Sequence, residues 1–283
     1  MRILTIDGNN LVYRVYKVAV QLPNYSEYLH VYMFLNSVRS VIDQYKPDKV
    51  YCTWDETPDN DGPSFRHSLY PEYKGTRAKD HGKDVHKYNH HIKELLQSMG
   101  IPSIFPREFE ADDVLAIIDS LVEFDRHIVY TVDRDMCQLI TEKTVVYDGI
   151  RKLEVDLNNF QEVVKWTPEQ FVQAKAIQGD KSDNIIKLKG YGPKKIEKYF
   201  NGDVEFTEEE QAQYDFNMKL VVLYTEGDER DYIKAQLDVC SHGTDYELFK
   251  KKVAELGFNS ITNNTGKWYS TFFQTNRLLE LLA

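Results

Sequence analysis

Glu110-Ala111-Asp112-Asp113, followed at once by Val114-Leu115-Ala116-Ile117-Ile118, decides how this chain is read. Three carboxylates fall within four positions, and an apolar run begins directly after them. In isolation this is the start of a helix, because acidic side chains complement the positive end of the helix dipole. At about 100° per residue Glu110 and Asp113 share a face, whereas Asp112 lies roughly 200° from Glu110. Glu110 and Asp112 can still converge if Glu110 precedes the first helical turn. More acids change the reading. Asp7, Asp55, the pair Asp133 and Asp135, and the pair Asp180 and Asp183 all stand where a strand or helix is expected to end.

Working outward, Arg2 to Ile6 has the make-up of a buried strand and stops at Asp7-Gly8-Asn9-Asn10. A helix carrying Arg14 follows from Leu11, and a second runs from about Glu27 to Tyr45. Lys49 to Trp54 is another strand, ending at Asp55. His127 to Val132 is a third, ending at Asp133-Arg134-Asp135, and residues 144–147 and 152–155 form a hairpin around Asp148-Gly149. Strands alternating with helices predict an α/β fold with a central, mostly parallel sheet and helices on both faces. Carboxylates at the carboxyl ends of such strands lie where an open α/β sheet keeps its site.

From Asp59 to about Lys93 the composition changes. Arg66, Lys74, Arg77, Lys79, Lys83, Lys87 and Lys93 are interleaved with Tyr70, Tyr73 and Tyr88. Basic side chains track phosphates and tyrosine faces stack on bases, so Tyr73 is a candidate nucleic-acid contact. Five histidines lie here too, but their irregular spacing and the lack of a partnered cysteine do not suit zinc. Further on, a helix over 168–178 leads into Gly179-Asp180-Lys181-Ser182-Asp183-Asn184 and then Gly190-Tyr191-Gly192. A Gly-x-Gly turn before a helix offers backbone N–H groups to a phosphate. Lys187, Lys189, Lys194 and Lys195 surround it, although Pro193 removes one donor.

Composition sets bounds on the partner. The 283 residues, 42% hydrophobic, are ample for a large core. Three cysteines without metal-ligand spacing suit a reduced, cytoplasmic protein. Met1 to Ile6 reads as a strand and not a secretion signal, and no apolar run reaches membrane-spanning length. The formal charge of −10 taken alone disfavours nucleic acid, but residues 203–283 carry 15 acidic and 8 basic side chains and so supply most of it. Local basic patches decide binding, and net charge does not. The carboxylates are hard oxygen donors that suit Mg²⁺ or Mn²⁺.

Five blocks in order carry a resemblance. They are Ile6 to Leu11, Pro71 to Arg77, Glu110 to Asp113, Thr131 to Asp135 and Gly179 to Lys195. On these, the chain resembles the 5′-nuclease (flap endonuclease) family, most closely its stand-alone bacteriophage 5′–3′ exonucleases. The resemblance implies a nuclease domain over 1–165 with a helical arch at about 59–93. It also implies a C-terminal helical domain over 166–283 that carries a helix–three-turn–helix motif. It implies that Asp7, Asp55, Glu110 and Asp112 hold a first metal ion, with Asp113 close by, and that Asp133, Asp135, Asp180 and Asp183 gather around a second. Lys74 and Arg77, assisted by Arg14, would contact the scissile phosphate. Gly190 to Lys195 would grip duplex backbone, with K⁺ an expected ligand of the Gly190–Gly192 turn. Branched or flapped DNA and RNA–DNA hybrids are the expected substrates, for a monomer that removes 5′ flaps or primers. A single-strand-binding protein or sliding clamp is the expected replication partner. Tyr269, Phe272 and Phe273 faintly suggest a clamp-binding peptide, but their helical spacing reads as buried core. Two rivals stand beside this reading: a PIN-domain ribonuclease with the same sheet, and a non-catalytic DNA-binding adaptor.

Overall fold

The computed structural model describes residues 1–56, 62–76 and 85–273. Arg77 and part of the expected arch lie outside the described residues. The core is a six-stranded sheet in the order β3-β2-β1-β4-β5-β6. Its strands are β1 (Arg2–Asp7), β2 (Lys49–Thr53), β3 (Ser103–Ile104), β4 (Arg126–Tyr130), β5 (Thr144–Asp148) and β6 (Leu153–Val155). The first five run parallel, and β6 pairs antiparallel with β5 through the expected hairpin. β1 sits beside β2 and β4, with Asp7 opposite Thr53. The carboxyl ends of these three strands therefore meet at one edge, which brings Asp7, Asp55 and Asp133 together.

The strands are apolar on both sides because helices cover both faces. Leu4, Ile6, Ile128 and Tyr130 point into a core shared with α1 (Gly8–Ala19), α2 (Leu29–Tyr45) and α4 (Asn89–Ser98). Ile3 and Tyr51 point the other way, onto α5 (Ala111–Leu121) and α10 (Asp228–Val239). Val129 and Val146 join that second face against Leu115 and Phe160. This is the period-two alternation of a strand covered on both faces. The short α3 (Phe65–Leu69) lies in the stretch where the arch is expected, and α6 (Phe160–Val164) follows the hairpin.

Two glycines are needed where they stand. A Cβ on Gly8 would lie 2.7 Å from the Thr53 carbonyl oxygen, so the turn from β1 into α1 closes tightly on β2. Gly179 ends α7 (Pro168–Gln178) at φ 64°, and a Cβ there would meet the Ile185 carbonyl at 2.5 Å. The loop after it folds back on itself through Asp180 and Ile185, then enters α8 (Pro193–Phe200). α9 (Glu208–Val221) packs on α7, so three helices surround the stretch where the helix–three-turn–helix motif is expected.

Past α9 the chain returns to the sheet. α11 (Tyr246–Glu255), α12 (Asn259–Thr262) and α13 (Thr265–Phe272) place Phe249, Trp268, Phe272 and Phe273 in the same core as Leu4 and Phe34. The described part of the tail is thus core, in keeping with its helical spacing. Phe272→Ala is expected to cost about 3 kcal/mol, the lower end for a buried phenylalanine, in urea unfolding. Stability equal to the parent's would reverse that assignment.

Candidate active site

Asp7 closes β1 and caps α1 by accepting from the Asn10 N–H at 3.0 Å, while the Thr131 hydroxyl donates to it at 2.9 Å. Thr131 can do this because it follows Tyr130, which lies opposite Ile6 in the register of β1 and β4. Asp55 follows β2 and accepts from the Ala111 N–H and the Asn9 amide, both at 2.9 Å. It thereby pins the start of α5 to the sheet edge. Glu110 is the N-cap of α5, in extended conformation, as the convergence of Glu110 with Asp112 requires. Asp133 caps a 3₁₀ turn (Arg134–Leu139) and accepts from the Asp135 N–H at 2.8 Å. Asp180 and Asp183 arrive from the loop after α7.

A narrow cleft of about 30 Å³ is lined by Glu110, Asp112, Asp133, Asp135 and Asp183 together with Arg66, Tyr73 and Lys74. That is room for about two waters. A groove of about 440 Å³, lined by Asp55, Lys74, His67, Arg107 and Glu110, adjoins it on the side of the expected arch. Lys74 and Glu110 line both spaces.

The electrostatics divide these acids into two kinds. Burial, then the neighbouring Asp55 and Asp133, push the Asp7 carboxyl up to about 7. Burial, then Asp133 and Asp7, hold Asp112 well above the usual carboxylate range, and burial also raises Asp135. These are carboxylates crowded together with too little positive charge nearby. Glu110 differs: burial pushes it up, but Lys74 and Arg66 outweigh that and leave it lowered. Lys74 Nζ lies 2.5 Å from Glu110 Oε1, and Lys175 Nζ contacts Asp135 and lies 3.6 Å from Asp180. Among the described residues, no three such groups are drawn closely enough to hold an ion as they stand. The two lysines neutralise part of the cluster instead. A buried set of hard oxygen donors short of cations fits Mg²⁺ or Mn²⁺.

Several expected site residues have other partners. Asp113 is fully buried, and Arg66 grips it at 2.6 and 2.9 Å. The N–H groups of Glu110 and Tyr224 also donate to it. Asp113 therefore supports the acids beside it, with its carboxylate held by Arg66. Tyr73, expected to meet DNA, is buried, and its hydroxyl donates to Glu110 at 3.1 Å and Asp183 at 3.3 Å. Lys195, expected to face phosphate, lies 3.5 Å from Glu210 and 3.7 Å above the Tyr191 ring. Arg14 stacks over Tyr130 at 5.8 Å. Lys187, Lys189 and Lys194 are exposed around the turn, and Gly190 takes φ 81°, where an added Cβ would meet nothing within 4 Å. Lys74 itself is held at φ 56°, its N–H donating to the Asp183 carbonyl at 2.9 Å. Such a conformation is uncommon for a residue with a Cβ.

Arg66, Thr131 and Lys175 are site residues that sequence reading missed. Arg66 looked like one more charge in a basic stretch. Lys175 lies five residues before Asp180 in the last turn of α7, which was its one local signal.

The family model of the N-terminal resolvase-like domain of 5′–3′ exonucleases matches residues 2–173. A 5′–3′ exonuclease of Mycoplasmopsis pulmonis is 33% identical over 204 residues, 71% of this chain and 66% of that protein. DNA polymerase I of Bacillus subtilis is 27% identical over 298 residues, 94% of this chain but only 32% of the polymerase. The chain thus spans less than two thirds of the one relative's length and about a third of the other's. Among solved structures, a bacteriophage T5 flap endonuclease with DNA and metal ions superposes with a TM-score of 0.67 at 21% identity. That match covers 85% of this chain and 99% of the phage chain, and at this identity it shows the shared fold.

Proposed function

The chain belongs to the 5′–3′ exonuclease family, and from that premise we propose that it is a structure-specific 5′-nuclease, acting as exonuclease and flap endonuclease on branched DNA and RNA–DNA hybrids. The observation that carries this is the convergence of carboxylates from three separate parts of the chain, at 110–112, 133–135 and 183, on one cleft that Lys74 also lines. Asp7, Asp55, Glu110 and Asp112 would hold one Mg²⁺, and Asp133, Asp135, Asp180 and Asp183 a second. Such ions supply charge neutralisation, an activated water and a clamp on the leaving oxygen. The protein's own groups set the stage. Asp55 fixes the start of α5 against the sheet, Thr131 orients Asp7, and Tyr73 braces Glu110 against Asp183.

Lys74 is positioned to exchange Glu110 for the scissile phosphate as substrate enters from the adjoining groove. Arg77, and Arg14 from α1, belong to the same reading as further cations at the reacting phosphate. The exposed Lys187, Lys189 and Lys194, with the Gly190–Gly192 turn and any K⁺ it holds, would grip duplex phosphates. This arrangement suits removal of 5′ flaps or RNA primers during DNA replication, in a phage or its host, alongside a single-strand-binding protein or clamp.

Lys74→Ala is expected to lower the single-turnover rate by about 10²-fold, the loss typical of one preorganised electrostatic group, with DNA affinity in Ca²⁺ nearly unchanged. Lys194→Ala should do the reverse. It weakens binding on all sequences and flattens the salt dependence by up to about 0.9 log unit of slope. Lys195→Ala should flatten it less, because that charge is shared with Glu210. A wild-type rate for the first variant, or an unchanged slope for the second, would refute its half of the assignment.

The function itself is tested with an end-labelled 5′-flap duplex and a plain single-stranded RNA, in Mg²⁺ and in chelator. Cleavage of the flap that stops in chelator is the expected result. A faster rate on the RNA would favour the PIN-like ribonuclease, and binding without cleavage of any substrate would favour the adaptor.

A further inference from the structure

The exit of α9, Leu220 to Tyr224, lies far in sequence from every carboxylate of the cleft, yet Leu220, Val221 and Leu223 line it. The last carbonyls of a helix have no partner within it. Here they are met by residues that also belong to the site. Arg66 Nε donates to the Leu220 carbonyl at 2.9 Å and Nη2 to the Val222 carbonyl at 2.8 Å. Its remaining N–H groups go to Asp113 and, at 3.2 Å, to Glu110. All five guanidinium donors are thereby used. Between these two carbonyls, the Val221 carbonyl accepts from the Gln138 amide at 3.0 Å, and the Leu223 N–H donates back to Gln138 Oε1 at 3.4 Å. Gln138 lies in the 3₁₀ turn that begins at Asp133 and contains Asp135.

One stretch of backbone therefore ties the start of α5, with Glu110 and Asp112, to the turn that bears Asp133 and Asp135. We infer that the exit of α9 sets the separation between the two carboxylate groups, with Arg66 and Gln138 as its positioning residues. Neither side chain needs to touch substrate. The inference rests on the nuclease reading of the cleft. Its physical content is that a displacement of about 1 Å at a reacting centre costs on the order of 10²-fold in rate.

Gln138→Leu has nearly the same size but cannot make either hydrogen bond. Arg66→Lys keeps the charge but loses the planar fork. Both are to be compared with the parent in thermal unfolding, affinity for flap duplex in Ca²⁺, single-turnover rate in Mg²⁺ and Mn²⁺ binding by electron paramagnetic resonance. The expected result for a folded variant is a rate reduced at least tenfold, DNA affinity within twofold of the parent and weakened Mn²⁺ binding. A merely structural role would lower stability and leave rate and Mn²⁺ affinity at parental values in the folded fraction, and that result overturns the inference. Should Arg66→Lys fail to fold, Gln138→Leu decides alone, since it leaves the buried arginine and its acids intact. Should the parent cleave nothing, the nuclease reading fails, while Mn²⁺ affinity in the two variants still decides whether the tie holds the carboxylates.

Discussion

Asp112→Asn is expected to cut the cleavage rate at least about a hundredfold, the loss typical of removing one group from a preorganised site, while flap-duplex affinity in Ca²⁺ stays near parental. The amide keeps the shape and one oxygen donor but brings no charge to the cation. The same variant carries a second, opposite expectation. Burial, then Asp133 and Asp7, raise the Asp112 carboxyl in the folded chain. Its ordinary value in the unfolded chain lies near 3.8. A raised carboxyl contributes stability that is present below the unfolded value and lost as pH rises through the folded one. At pH 8 in chelator the parent bears that penalty and Asp112→Asn does not, so the variant should melt at a higher temperature. Added Mg²⁺ should erase or reverse the difference. Full activity at saturating Mg²⁺, or a variant that melts lower in chelator at pH 8, would contradict the account of this residue.

Asp113→Ala is the largest expected loss of stability. Arg66 and Asp113 are both buried, and their contact is bidentate. Removing the acid leaves a desolvated guanidinium with only Glu110 as a charged partner, and breaking a buried pair from one side typically costs about 3–5 kcal/mol. The Tyr224 and Glu110 N–H groups lose their acceptor as well. Exposed pairs are no guide here: Lys234 with Asp238 sits in water, where such pairs contribute about 0–1 kcal/mol. Urea unfolding with an unchanged m-value measures the loss. A change under about 1 kcal/mol would show that the pair is not carrying the buried charge.

The legible parts of this chain were those written locally. Apolar runs ending in Asp7, Asp55 and Asp133 gave the parallel strands and the edge where the acids meet. Pro168 stood at the start of α7, and Gly179 stood directly after its end. The illegible parts depend on partners distant in sequence. Arg66 and Tyr73 read as basic and aromatic residues of a DNA-facing stretch, but their partners lie at 110, 113, 183 and 220–222, which no local pattern reveals. Asp113 was expected close to the first ion because it stands beside Asp112. One step along a helix turns a side chain by about 100°, and that turn points Asp113 to Arg66 and Asp112 to the cleft. Past Val221 the chain leaves α9, and the backbone groups of residues 222–224 bond Arg66, Gln138 and Asp113, again partners that no local pattern reveals.

The most direct test of the central claim is Mn²⁺ binding to the parent chain and to Asp112→Asn, followed by electron paramagnetic resonance without nucleic acid. The account predicts two saturable ions per parent chain, displaced by Mg²⁺, with binding tightening as pH rises through 7 because Asp7 must lose its proton to serve as ligand. It predicts fewer or weaker sites in the variant. No saturable binding to the parent, or equal binding to both proteins, would contradict it.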